Sequence, residues 1–418
     1  MTTRREFIKT AAALAGGTVL SGCAGGVRPS GPESFPQATA KSRVVSAAAD
    51  DMLLDTRYNP SAVGRAFAAG MKELTGEKTE AAAWASMFSP DDVVGIKINC
   101  LGAPRVSSSV ESIRAVAAGL QSAGVKEYAI IVWDRLDREF QRTGLALNKG
   151  PVGMRVMGTS TQGESILPWV EGYDRDVFLS LEDGALKKFR ELVRRDFLQT
   201  ASYRQIFNSV TWLWMLARMG DARATAFEPE LRRLYSAYDD REGIKKIAEA
   251  VVDKFEGVII PDEDKSCFSR IVSRDITKLV NIAVLKHNED SGVTWALKNV
   301  ALGVTTNKVR FHIDYCAKAI PAILSHSCLR DKMVLHIGEA AKISTVSVAG
   351  THLATDNRIF FSRDPVAMDR LGLDILEDKR RSQGLESIRS IANHVASSAA
   401  GGLGTDDLAR IDLRALKA

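Results

Sequence analysis

Two apolar runs on either side of one amphipathic stretch constrain this chain more than anything else in it. Residues 93–98, Val93-Val94-Gly95-Ile96-Lys97-Ile98, have the apolar, β-branched pattern of a buried strand. A loop with Gly102 and Pro104 follows, then Ser108 and Glu111 at capping-box spacing. Val110, Ile113, Ala117 and Leu120 recur on one helical face, and Gly124 is a natural stop. Residues 128–133 form a second apolar run that ends in Asp134-Arg135. Strand, helix, strand at this spacing predicts a parallel crossover, because parallel neighbours need a long connection. Ligands of such sheets sit beyond the carboxyl ends of the strands. Asn99, Cys100, Asp134 and Arg135 are thereby placed near a potential site.

The rest of the chain extends this pattern. A helix is expected at 62–74, closed by Gly76, and strands at 279–285, 333–337 and 358–361 with helices between. The predicted fold is α/β, a mainly parallel sheet with helices on both faces and a helical insertion at about 180–256. Within the insertion, Leu186, Phe189, Leu192 and Val193 suggest one helix. Ile244, Ile247, Ala248, Val251, Val252 and Phe255 suggest another, and a Trp-rich segment at 210–217 lies between them. This insertion reads as a lid or a packing subdomain. Residues 396–404 are small and Gly-rich, a loop before a short tail.

The first 23 residues read as an address rather than as part of the fold. Thr3-Arg4-Arg5-Glu6-Phe7-Ile8-Lys9 and the apolar run behind it resemble the twin-arginine export signal. That run, residues 10–20, is too short for a bilayer, which needs about 20 residues. Leu20-Ser21-Gly22-Cys23 resembles a lipoprotein processing box, with Cys23 acylated once residues 1–22 are removed. Residues 23–49 read as a flexible tether and 50–418 as the domain. The expected partners are the twin-arginine translocase and a membrane surface reached through the lipid. The expected location is the periplasm or the outer face of the cell envelope.

Formal net charge is +5 and falls to +3 without the leader, which argues against nucleic acid as a partner. Five cysteines are present. With Cys23 lipidated, the other four permit two disulfides in an oxidising envelope, and Cys316 and Cys328 are the nearest pair. Four cysteines in so large a chain do not make a disulfide scaffold.

Three segments carry a family resemblance. They are Val94-Gly95-Ile96-Lys97-Ile98-Asn99; Lys286-His287-Asn288 through Gly292-Val293-Thr294-Trp295-Ala296-Leu297-Lys298-Asn299; and Ser362-Arg363-Asp364-Pro365-Val366-Ala367-Met368-Asp369. In order and spacing, from about residue 90 to 376, the chain resembles the domain of unknown function 362 family. The resemblance implies no established reaction. Some relatives carry a ferredoxin-like cysteine cluster, but this chain has no such closely spaced set, and no iron–sulfur motif is carried over.

The residues themselves offer a polar site at strand ends. Lys97, Asn99, Asp134, Lys286 and Asn299 are candidate binding residues for a small anionic ligand or cofactor. Gly292 can let backbone approach that ligand. His287, Lys298 and Asp364 are candidate catalytic residues, His287 as an acid or base near neutral pH. Competing with this, Lys286 and Lys298 can simply pair with Glu289 and Asp290. Asp364-Pro365 also suits a helix cap and first turn. A metal site is conceivable from His312 and Cys316, four apart, with His326 and Cys328, two apart. No cofactor is identified. The chain lacks the hydrolase Gly-x-Ser-x-Gly, Walker, His-Glu-x-x-His and Gly-x-Gly-x-x-Gly patterns. Two functional readings follow: an envelope enzyme, redox chemistry being one option, that acts on a small anionic substrate; or a non-catalytic lipoprotein that binds a partner or aids complex assembly.

Overall fold

The computed structural model describes residues 41–161, 169–181, 264–350 and 352–418. The strands are β1 Ser42–Ala48, β2 Leu53–Leu54, β3 Arg57–Tyr58, β4 Val94–Lys97, β5 Ile130–Leu136, β6 Arg155–Ser160, β7 Tyr173–Ser180 and β8 Lys265–Ser269. They continue with β9 Lys278–Asn288, β10 Gly292–Thr294, β11 Met333–Ser344, β12 Leu353–Thr355, β13 Arg358–Ser362 and β14 Ile411–Lys417. The helices are α1 Pro60–Thr75, α2 Glu80–Ala85, α3 Val110–Ser122, α4 Ala296–Val304, α5 Ala319–Leu324, α6 Ser327–Arg330, α7 Pro365–Ser382 and α8 Asn393–Ala400.

Ten strands form one sheet with the path β14-β1-β13-β11-β9-β4-β5-β6, β10 and β12 being hairpin partners of β9 and β11. From β11 to β6 the path is parallel throughout. The expected crossover is present, since β4, α3 and β5 follow in order and β4 pairs with β5 in parallel. Strand β13, however, runs antiparallel to both β11 and β1, so the sheet is mainly rather than wholly parallel.

Alternation along each strand divides the core in two, because successive side chains point to opposite faces. Ile130 and Val132 of β5 join α1, α2 and α3 through Phe67, Trp84 and Leu120. Ile131 and Trp133 join the other face, with α4, α5, α7 and α8. Each fully buried large apolar side chain contributes about 1.5–3 kcal/mol. Both faces must therefore be covered for the sheet to persist.

Several expectations are corrected at element ends. Residues 42–48, read as the end of a tether, form a largely buried strand between β13 and β14. Ser-rich, alanine-rich sequence looked like linker, but its small residues suit a strand squeezed between neighbours. The tail is also structured: residues 393–400 are helical and 411–417 pair in parallel with β1. The cap of α3 is Ser109, which accepts from Ser112 N, while the Ser108 hydroxyl donates to Ile282 O. Residues 1–40, and with them the signal and Cys23, lie outside the described residues, as does 182–263, most of the expected insertion. Its flanks are described: β7 and β8 pair antiparallel, so chain leaves and re-enters on one ribbon.

Asp364 is a tertiary clasp. Its carboxylate accepts from Val366 N and Ala367 N, capping α7, and from Ser42 Oγ at 2.5 Å and Thr405 N at 3.0 Å. It thereby ties β1, α7 and the chain beyond α8. We predict that Asp364→Ala lowers stability by about 2 kcal/mol, the upper range for a lost cap. Urea unfolding measures this, and a loss below about 0.5 kcal/mol would contradict the clasp.

Candidate functional site

Strand β9 outruns its neighbour. Lys97, the last residue of β4, pairs with Asn281, yet β9 continues to Asn288. Lys286 and Asn288 therefore stand beyond the carboxyl end of β4. The chain order makes this a switch point: from β4 it moves outward to β5 and β6, then returns to β9 on the other side of β4. Open α/β sheets form their ligand crevices at such points. A cavity of about 140 Å³ lies there. The ends of β4 and β5 contribute Lys97, Asn99, Asp134 and Arg135. The β9–β10 hairpin contributes Lys286, Asn288 and Thr294, and α4 and the chain after it contribute Lys298, Asn299, Gly303, Lys308 and His312.

Charge in the cavity is one-sided. Lys97, Arg135, Lys286, Lys298 and Lys308 line it, and Asp134 is the one lining carboxylate among the described residues. Asp134 is already fully engaged. It accepts from Lys97 Nζ at 2.7 Å, Cys100 N at 2.7 Å and Arg135 N at 2.9 Å. Burial works to raise its pKa, but Lys97 and then Arg135 outweigh this and hold the carboxyl below its ordinary range. A carboxylate so committed orients Lys97 and is no general base. Gly303 makes room for that lysine, because a Cβ there would meet Lys97 Nζ at 2.7 Å. Arg135 pairs with Glu139.

Lys286 and Lys308 differ. Lys286 is fully buried and donates to Asn99 Oδ1 at 2.6 Å and to Leu101 O. Lys308 is buried and donates to Leu302 O at 3.1 Å. Among the described residues, both amino groups are received by neutral oxygens alone. Burial pushes Lys286 down to about 7, against an opposing pull from Asp134. Burial and then Arg135 push Lys308 well down. An ammonium in such a place is costly unless a charge partner arrives.

A chain of amides fixes how Lys286 is met. Asn281 Nδ2 donates to the Ala296 carbonyl at 3.0 Å, and a carbonyl can only accept. Asn281 Oδ1 is thereby turned to accept from Asn299 Nδ2 at 2.7 Å. Asn299 Oδ1 accepts from Asn99 Nδ2 at 3.0 Å, which leaves Asn99 Oδ1 for Lys286. One backbone carbonyl so sets the polarity of three side-chain amides.

Of the residues expected at the site, Lys97, Asn99, Asp134, Lys286, Lys298 and Asn299 are brought together. Lys298 donates to Asn288 Oδ1 at 2.7 Å and Ser291 Oγ at 2.6 Å. His287 does not line the cavity. It follows Lys286 on a strand, so it points to the other face, where Nδ1 meets Val346 O at 2.5 Å. Asp364 is the clasp described above and does not line the cavity either. Gly292 serves the hairpin: its φ is +66°, and a Cβ would press on Ile388 O and Ala392. Lys308 was missed, since it sits in no periodic or motif-like context; Thr294 lies within the Gly292–Asn299 motif but was not singled out. Thr294 lies opposite Lys286 across the hairpin, and its buried hydroxyl has no hydrogen-bond partner among the described residues.

The metal set is corrected. His312 lines the cavity, but Cys316 is buried in the core. Residues 309–314 are 3₁₀ helix and Tyr315 and Cys316 have positive φ, which breaks the expected i, i+4 relation. His326 caps α6 by accepting from Cys328 N and stacks 4.5 Å from Phe268. Among the described residues no group of three or more His, Cys, Asp or Glu is placed to hold a metal. Cys316 and Cys328, the nearest pair that the sequence permits to bridge, are free thiols.

Asn281→Ala removes the anchored end of the amide chain and leaves Asn299 Nδ2 buried without an acceptor. We expect a loss of about 1–3 kcal/mol in denaturant unfolding, the desolvation penalty of one buried donor. Wild-type stability in this variant would show that the amides are not coupled.

No curated protein and no solved structure matches the chain. The model of the family described as Domain of unknown function (DUF362) matches residues 241–374. This span is narrower than the resemblance read from the sequence: it holds the Lys286–Asn299 and Ser362–Asp369 motifs and leaves the Val94–Asn99 motif outside. Over residues 241–374, then, the chain is similar to the Domain of unknown function (DUF362) family, a similarity that brings the β9, β10 and α4 walls of the cavity with it and no assigned reaction.

Proposed function

We propose that the switch-point cavity binds a small organic anion and that the protein is an envelope enzyme acting on it. One observation carries this reading. Among the described residues, five basic side chains converge with a single, already committed carboxylate, and two buried amino groups of these have only neutral acceptors. An incoming carboxylate or phosphate supplies the missing charge, and charge-assisted hydrogen bonds are the strong ones. The volume of about 140 Å³ suits a ligand of a few heavy atoms rather than a nucleotide. Thr294 offers a further hydrogen bond to such a ligand. The non-catalytic alternative rests on the tether and on the insertion at about 180–256, of which residues 182–256 lie outside those described.

The expected linkage has a definite sign. With its pKa near 7, Lys286 is cationic below that pH and neutral above it. An anion favours the cation, so binding takes up a proton and tightens as pH falls through about 7. Calorimetric titration with acetate, pyruvate and phosphate should show this trend. Lys308→Ala should weaken binding about tenfold or more, the equivalent of one charge-assisted hydrogen bond. Affinity for all three anions that is flat with pH and indifferent to Lys308→Ala would refute the reading.

The envelope part of the proposal rests on the ordered series Arg4-Arg5, apolar run, Leu20-Ser21-Gly22-Cys23. In a bacterial host with a twin-arginine system, the chain is exported folded and held on the membrane by acylated Cys23. Cys23→Ala should move the exported protein from the membrane to the soluble envelope fraction, and Arg4→Lys with Arg5→Lys should retain it in the cytoplasm. Membrane association that survives Cys23→Ala would sink the lipid anchor.

A further inference from the structure

The bonding of Lys286 specifies more than charge. Its nitrogen has two acceptors, Asn99 Oδ1 and Leu101 O. Leu101 O is a backbone carbonyl, and Asn99 Oδ1 is held in place by the amide chain that ends at the Ala296 carbonyl. A neutral amine has two N–H groups, and here both have fixed acceptors. The third tetrahedral position has no acceptor among the described residues. A third N–H would sit there unpaired in a fully buried group that Lys97 pushes further toward the neutral form; a lone pair needs no acceptor. Burial, which brings the group to about pKa 7, favours the same neutral form. A desolvated lysine beside other cations is one of the ways an amine becomes a nucleophile at neutral pH.

We propose that Lys286 is a nucleophilic amine that forms a Schiff base with a small 2-oxo acid, whose carboxylate is held by the other basic side chains of the cavity. This proposal rests on the anion reading above and deepens it. In the step, the Nζ lone pair adds to the carbonyl carbon, the C–N bond forms, and the proton leaving nitrogen passes to the carbonyl oxygen. The carbinolamine hydroxyl takes one further proton from solvent and leaves as water. The product is an iminium, C=N⁺H, and no oxidant or reductant is used. Thr294 lies across the hairpin from Lys286 with its hydroxyl unsatisfied, so an oxygen of the ligand gives it a partner. The iminium draws electrons from the adjacent carbon, which places decarboxylation, aldol and dehydration chemistry within reach of one site.

Hydride trapping tests this. The full-length protein is incubated with glyoxylate, pyruvate or 2-oxobutyrate and sodium cyanoborohydride, then weighed intact and mapped by peptide mass spectrometry. At least one oxo acid should leave a single reduced adduct on the peptide bearing Lys286, with acetate giving none. Trapping should speed up as pH rises through about 7, while anion binding weakens. Lys286→Arg cannot form an imine, so it should lose the adduct. The wild-type peptide map decides the position even where the variant fails to fold. Stabilisation by an oxo acid without any adduct overturns the Schiff base and leaves the anion site standing. An adduct on another lysine overturns the assignment to Lys286. Neither stabilisation nor adduct with all three acids overturns both readings.

Discussion

An amino group is buried at the carboxyl end of the sheet, and two neutral oxygens receive it. Burial of Lys286 is the constraint around which the carboxyl end of the sheet is arranged. A buried ammonium facing only carbonyl oxygens is unstable in its charged form, and a buried amine facing fixed acceptors is stable but reactive. The protein holds the group between these states by pinning both acceptors. Ala296, at the start of α4, sets the direction of the amide chain, so the helix that lines the cavity also tunes its chemistry. Lys97, at the end of the neighbouring strand β4, is given the opposite treatment. Asp134 neutralises it, and Gly303 clears its path.

The scaffold explains why these groups can be held at all. Five parallel strands covered on both faces form a rigid floor, and β9 projects from it because its neighbour β4 is only four residues long. The projecting end would expose its backbone, but β10 folds back to pair with it. The antiparallel side of the sheet is clamped by Asp364, which joins β1, α7 and the C-terminal stretch through one carboxylate. Binding groups thus sit on strands and a helix, while the acid that looked catalytic holds the frame.

Much of this was legible in the residues. The β4–α3–β5 crossover follows from periodicity and spacing; the rule that ligands sit at carboxyl strand ends pointed to Lys97, Asn99 and Asp134, and the family-like motif to Lys286 and Asn299, and these residues line one cavity. Legibility failed where neighbours decide. Ser42–Ala48 has linker-like composition and becomes a strand because β13 and β14 enclose it. His287 adjoins Lys286 in sequence, but alternation sends it to the opposite face. His312 and Cys316 stand at helical spacing, but Tyr315 and Cys316 itself are left-handed, which breaks the helical relation between the pair. Thr294 stands within the Gly292–Asn299 motif, but its place across from Lys286 is set by the hairpin register.

By itself the sequence determined the class of fold and the end of the sheet where a site would form. Apolar runs of strand length, separated by amphipathic helices, have few ways to bury both faces. It also determined the chemical character of the site, because lysines and asparagines at strand ends have nowhere else to go. Only the tertiary structure decided which of these groups became a salt bridge, which a structural donor and which a desolvated amine. That choice depends on distances between β4, β9 and α4, and on a carbonyl at the start of one helix, which no local pattern records. The same lysine is an ordinary surface cation in water and a nucleophile when two fixed oxygens claim its protons.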